Sequence, residues 1–143
     1  MNAHEQLANS LGQLILIWQR QYRDILLHHK LSAAEKRILY GLYHNPGITK
    51  KKLAELIVLE ASSVTRAMQR LEKNGHLTRL ANQSDRRAAT LCLSELGKQK
   101  TRAVKRDFML RFTQAMPEEK DIKVDEVIGY IESLTENLKH QKN

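Results

Sequence analysis

Immediately after Gly75 the spacing of apolar residues shortens from helical to alternating, and at Ser94 it lengthens again. Everything before that switch has helical periodicity. Leu7, Leu11, Leu14/Ile15, Trp18, Tyr22 and Ile25 form one stripe of a long helix. The stretch "LSAAEKRILYGLYHNPG" begins with Ser32 and places Glu35 three residues on, a capping box. Ile38, Leu39, Leu42 and Tyr43 then share a face, and Asn45-Pro46-Gly47 ends the helix. A third helix starts with Thr49 as N-cap and turns Leu53, Leu56 and Ile57 inward. In a fourth, Val64, Met68 and Leu71 face the core, and Gly75 is the stop. The alternating segments "HLTRL" and "ATLCL" make a two-stranded hairpin with "ANQSDRR" between them. Ser94 caps a helix that runs through Leu96, Val104, Phe108 and Phe112. Pro117 with Glu118 and Glu119 signals the start of the last helix, striped by Val124, Val127, Ile131, Leu134 and Leu138. Only six glycines and two prolines punctuate the chain. The expected fold is mainly α: a winged helix-turn-helix with a two-stranded wing hairpin, flanked by N- and C-terminal helices.

Charge narrows the partner. The formal net charge is +8, and residues 50–106 hold 14 Lys/Arg against 5 Asp/Glu, whereas residues 118–137 hold 2 against 7. A basic field confined to the middle of a chain is the footprint of a polyanion site, most often nucleic acid; a solvated lysine-rich surface is the plainer account. Lys50, Lys51 and Lys52 fall in the first turn of the third helix, where cations oppose the helix dipole, so a nearby polyanion would explain them.

The order of helices and hairpin gives these charges roles. With Val64, Met68 and Leu71 inward, Ser62, Ser63, Thr65, Arg66, Gln69 and Arg70 lie on the outer surface of the fourth helix. Short polar side chains and arginine read base edges in the major groove, and Arg66 suits a bidentate contact to guanine. The three lysines and Arg70 suit phosphates, which fix register without reading sequence. In isolation "SDRR" is a charged turn. At the end of a hairpin that follows three such helices, the guanidiniums of Arg86 and Arg87 can enter a narrow minor groove, with Asp85 holding one extended.

The motifs "LAELIVLEASSVTRAMQRLEKNGHLTR", the Asp-x-Arg of Asp85-Arg86-Arg87 and "LCLSELG" together resemble the MarR family of bacterial transcription regulators. The resemblance implies an obligate homodimer whose N- and C-terminal helices interlock and which binds pseudo-palindromic double-stranded DNA. Many members are repressors released by a small anionic or phenolic effector; some instead sense oxidants through cysteine, and a few sense metals. The resemblance assigns Arg87 as the wing arginine, Asp85 as its partner, and Ser63 and Arg66 as recognition-helix contacts. Cys92 and Ser94 depart from the family, which usually has an aliphatic residue and Thr there.

Residues 1–30 and 97–143 are expected to supply dimerisation helices around a DNA-binding region at 31–96. Leu7 and Leu11 on the first helix, and Val127, Ile131, Leu134 and Leu138 on the last, would expose apolar surface in a monomer. Trp18 and Tyr22, one turn apart, can line an effector pocket, although core or dimer packing is the commoner fate of such a pair. A single cysteine, Cys92, excludes an internal disulfide framework and fits a reducing, cytoplasmic setting. No cofactor or metal is expected, since His28 and His29 point about 100° apart on a helix and no metal-ligand spacing occurs. No enzyme motif is present, and no apolar run is long enough to span a membrane. Two other readings share the fold: a protein-interaction adaptor and a sequence-independent nucleic-acid binder.

Overall fold

Helix α2 (Ala33–His44) starts from the capping box read in the sequence. Ser32 Oγ accepts the Glu35 amide at 3.1 Å, and Glu35 Oε1 accepts the Ser32 amide at 3.4 Å. In this computed structural model, which describes residues 1–80 and 89–141, α2 is the element against which the helix-turn-helix is built. It packs on α3 (Lys50–Ile57), on α4 (Ala61–Lys73) and on strand β3 (Thr90–Leu93). Gly41 lets α3 approach closely, because a Cβ there would lie 2.8 Å from Leu53 Cδ1. Asp85, Arg86 and Arg87 fall outside the described residues.

The core is made by the expected faces. Ile38, Leu39 and Leu42 of α2, Leu53 of α3, and Val64, Met68 and Leu71 of α4 are all essentially inaccessible. Burying each such side chain contributes about 1.5–3 kcal/mol. Leu91 and Leu93 of β3 are buried while Cys92 between them is only half-buried, the alternation of a strand with one covered face. Leu56 corrects the sequence expectation, being 52% exposed, whereas Ile57 is half-buried. Two turns of helix present too narrow an apolar edge to cover both.

The hairpin forms from β2 (Leu77–Leu80) and β3, and Ile48–Thr49 adds a third antiparallel strand, β1, giving the order β1-β3-β2. Two residues cannot display an alternating pattern, so β1 leaves no sign in the sequence. Ile48 pairs with Leu91, and the Gly47 amide donates to the Leu91 carbonyl at 3.1 Å. A staple closes the base of the hairpin. Ser94 Oγ donates to Gly75 O at 2.5 Å and accepts the Gly97 amide at 3.0 Å, which caps α5 (Glu95–Ala115), while the Ser94 amide donates to His76 O. Gly97 is required there because a Cβ would overlap the His76 carbonyl.

Helix α1 (Ala3–His28) is capped by Asn2, whose Oδ1 accepts the Glu5 amide. Its C-terminal end joins the core through Ile25 and Leu26, whereas Leu14, Ile15, Leu16 and Ile17 are 54–66% exposed. By compactness the chain divides into Met1–Phe112 and Thr113–Asn143. The second unit contains the last turn of α5 and helix α6 (Val124–Lys139). That helix starts later than Pro117-Glu118-Glu119 suggested. Pro117 disfavours helix in the residue before it, and the apolar repeat that defines the helix begins only at Val124. Val127, Ile131 and Leu138 of α6 are 43–57% exposed, and Leu134 is half-buried.

Between α3 and α4 the chain turns through Val58, which has φ 52° and ψ 54° and is 81% exposed. The left-handed conformation costs an L-residue about 1–2 kcal/mol, and no burial of Val58 offsets it. Val58→Gly is therefore expected to stabilise the protein by about 1 kcal/mol, after allowing for glycine's freer unfolded chain. Urea denaturation reads this directly, and an unchanged or lower midpoint would remove the strain assigned to this turn.

Candidate nucleic-acid interface

Because Val64, Ala67, Met68 and Leu71 anchor one edge of α4, its opposite edge must face out. Ser62, Arg66 and Gln69, at i, i+4 and i+7, form an exposed stripe along that edge. Ser63 and Thr65 flank it and are half-buried. The hydroxyl of Thr65 is committed within the protein: it donates to Ala61 O and accepts from Lys50 Nζ, both at 2.9 Å. Lys50 thus bridges the start of α3 to the start of α4, and Lys51 and Lys52 are exposed in the same turn. Thr49 Oγ1 caps that turn by accepting the Lys52 amide at 3.3 Å. Three cations therefore sit at the positive end of a helix dipole, an arrangement that a neighbouring polyanion would relieve.

Arg70 was expected in the same group, but the structure gives its guanidinium another partner. Nε donates to Glu35 Oε1 at 3.1 Å, and the Glu35 side chain is only 8% exposed. Near the wing, Arg79 of β2 pairs with Glu72 of α4 at 2.7 Å. The wing arginines themselves lie outside the described residues.

A second cluster, on α1, α2 and α5, was not read from the sequence. Lys36 Nζ lies 4.0 Å from the Tyr40 ring centroid, 5.1 Å from Tyr22 and 5.3 Å from Phe108. Burial, and then the Arg37 charge, holds the Lys36 ammonium below the usual lysine range. Burial pushes the Tyr22 phenol up, and it pushes Tyr40 to about 12. Tyr22 also lines a cavity with Gln19, Arg23 and Leu26. Trp18 is half-buried against the core, its ring 6.0 Å from Phe108 and 5.7 Å from Phe112. The one sequence sign of this cluster was Tyr40 four residues after Lys36 on a helix. Cys92 lines another cleft, with Tyr43, Lys98 and Arg102.

Among the described residues, no group of three or more His, Cys, Asp or Glu is placed to hold a metal ion. None of their helices is long and apolar enough to cross a membrane. His76 has a buried Nδ1 without a partner. Its pKa is lowered by burial and then by Lys100, against an opposing contribution from Glu35.

Residues 31–89, which contain α2 to β2 and the wing connection, match the MarR family model. The HTH-type transcriptional regulator TtmR of Methylorubrum extorquens is 29% identical over 79 residues, 55% of this chain; the match spans 40% of TtmR's own length. YdcH of Bacillus subtilis, an uncharacterized HTH-type transcriptional regulator, is 29% identical over 139 residues, 92% of this chain and 88% of YdcH. Among solved structures, reduced AbfR bound to DNA superposes with a TM-score of 0.71 at 24% identity, covering 96% of this chain and 92% of that one. NadR in complex with 4-hydroxyphenylacetate superposes with a TM-score of 0.73 at 23% identity, covering 99% and 98%. These two likenesses establish a shared fold.

Tyr40 provides an optical check on the second cluster. Its folded value lies above the ordinary 10.0, so its contribution to stability is complete below pH 10 and is lost as pH rises through about 12. In a tyrosinate absorbance titration, Tyr40→Phe should remove a step near pH 12. If that late step persists in the variant, the phenol is not in the environment described.

Proposed function

We propose, from the match of residues 31–89 to the MarR family model and the likeness to YdcH over most of both chains, that this chain is a MarR-family regulator: a cytoplasmic homodimer that binds pseudo-palindromic operator DNA and represses transcription. The observation that carries the proposal is the exposed Ser62–Arg66–Gln69 stripe on a helix whose other edge is locked in the core. A rigidly held helix with short polar groups and one arginine on its outer edge fits a major groove. In this proposal Ser62, Ser63, Thr65, Arg66 and Gln69 face the bases or the groove wall. Lys50, Lys51 and Lys52 lie against phosphates. Arg86 and Arg87, with Asp85 orienting them, serve as minor-groove contacts from the wing.

A second copy of the chain covers the apolar faces of α1 and α6. Leu7 and Leu11 on the one, and Val127, Ile131, Leu134 and Leu138 on the other, are the residues proposed for that interface. Two docked modules place two recognition helices about 34–36 Å apart, so half-site spacing becomes part of specificity. The ligand proposed for release from DNA is a small anionic or phenolic molecule bound beside Trp18, Tyr22 and Lys36. The half-buried ammonium among three rings supplies the charge and the flat surfaces such a molecule needs. NadR with its bound 4-hydroxyphenylacetate is consistent with a ligand of this class.

Selection of genomic fragments by the purified protein at near-physiological salt should recover a few promoter regions that share an inverted repeat. Fragments retained without preference, through binding that collapses with salt, would instead make it a sequence-independent binder. On a recovered fragment, Arg66→Ala and Arg87→Ala should each weaken binding roughly 10- to 100-fold, with circular dichroism unchanged. Wild-type affinity in either variant would remove the role given to that arginine. Leu134→Glu should abolish the dimer in sedimentation analysis; a dimer of undiminished mass would move the interface elsewhere.

A further inference from the structure

The ion pair between α2 and α4 carries an inference that rests on the DNA-binding reading and deepens it. By helical spacing Arg70 belongs to the exposed edge, since it lies four residues after Arg66. Its guanidinium nevertheless turns back. Nε donates to Glu35 Oε1 at 3.1 Å, and Nη2 lies 3.5 Å from Ser32 Oγ. These are the two side chains of the α2 capping box, in which Ser32 Oγ already accepts the Glu35 amide. The planar guanidinium therefore closes onto the first turn of α2 from the last turn of α4.

The Glu35 side chain is 8% exposed and that of Arg70 is 55% exposed. A carboxylate so far out of water depends on a cation held in good geometry. Swinging Arg70 onto a DNA phosphate would strip Glu35 of that cation, so the phosphate contact expected from spacing alone competes with a contact the fold needs. We infer that Arg70 is a positioning residue: gripped by Glu35, it sets the tilt of α4 on α2 and so aims Ser62, Arg66 and Gln69. Glu35 has the same role from the other side, although it is too deeply buried to touch DNA. Lysine cannot replace Arg70 here, because a single ammonium does not reproduce the fork that reaches both Glu35 and Ser32.

The test uses the full chain and two probes: a random-sequence B-form duplex, and the duplex that the wild-type protein enriches from a random pool. Glu35→Gln removes the charge and keeps a capping-box residue, so α2 retains its start. Glu35→Gln, Arg70→Ala and Arg70→Lys should each lower the preference for the enriched duplex roughly tenfold, and the Glu35→Gln/Arg70→Ala double variant should lose no more than either single one. On the random duplex, the slope of log affinity against log salt should stay at the wild-type value. A phosphate contact predicts the reverse: a slope smaller by about 0.9 in Arg70→Ala, near-normal behaviour in Arg70→Lys, and no effect of Glu35→Gln. That pattern would overturn the positioning role and leave the DNA-binding proposal standing. A wild-type protein that enriches no sequence would sink the DNA-reading proposal itself, and the positioning role with it.

Discussion

The burial of one edge of α4 is the constraint on which the rest of the structure depends. Val64, Ala67, Met68 and Leu71 have no register on α2 other than the one they occupy, because a rotation of even one residue would bring a serine, threonine or arginine into the core. The choice of outward residues is thus made by the inward ones. The same packing makes α4 stiff. Contact made along its outer edge is then made by a helix already in its final orientation, with little ordering left to do on binding.

Around that edge the basic groups are not interchangeable. Lys50 is tied to Thr65, Arg70 to Glu35, and Arg79 to Glu72, so several cations that look alike in the sequence already have partners within the chain. Those partners hold long side chains in place, at a cost in side-chain entropy already met on folding. Lys36 is different in kind. Its neighbours are rings, and it follows Glu35 directly, so consecutive residues of α2 face α4 on one side and the α1–α5 aromatics on the other. On the reading proposed above, displacement of α2 by a ligand among those rings would be felt at the outer edge of α4 through a single helical turn.

Features set by local chemistry were legible in the sequence. The Ser32–Glu35 box, the Thr49 cap, the Gly75 stop, the three-four spacing of Val64, Met68 and Leu71, and the alternation of Leu91 and Leu93 each depend on residues close together in the chain. What failed depends on width, length or distance. Periodicity finds the centre of an apolar stripe but not its margin, and Leu56 lies at that margin, exposed. Pro117 with two acids is a sound helix start in general, yet it lost to an apolar repeat that begins at Val124. Strand β1 is too short to have a pattern. Of the candidate site, the outward stripe was visible because it is the complement of the core. The partner of Arg70 was not, since Glu35 lies 35 residues away and nothing local marks it.

The staple at the base of the hairpin separates two properties that most loops confound. Ser94 joins the end of β3 to Gly75 and His76 at the start of β2 while it caps α5, and the ladder then runs out to the Leu80–Thr90 pair. The two strands are therefore fixed relative to each other where they meet the helices. Loop closure varies only slowly with length, by about 0.6 kcal/mol per doubling. Evolution can thus lengthen, shorten or recharge the connection between Leu80 and Ala89 with little cost to the core beneath it. On the DNA-binding reading proposed above, the segment between β2 and β3 can then be retuned for a new operator while α4 stays as it is.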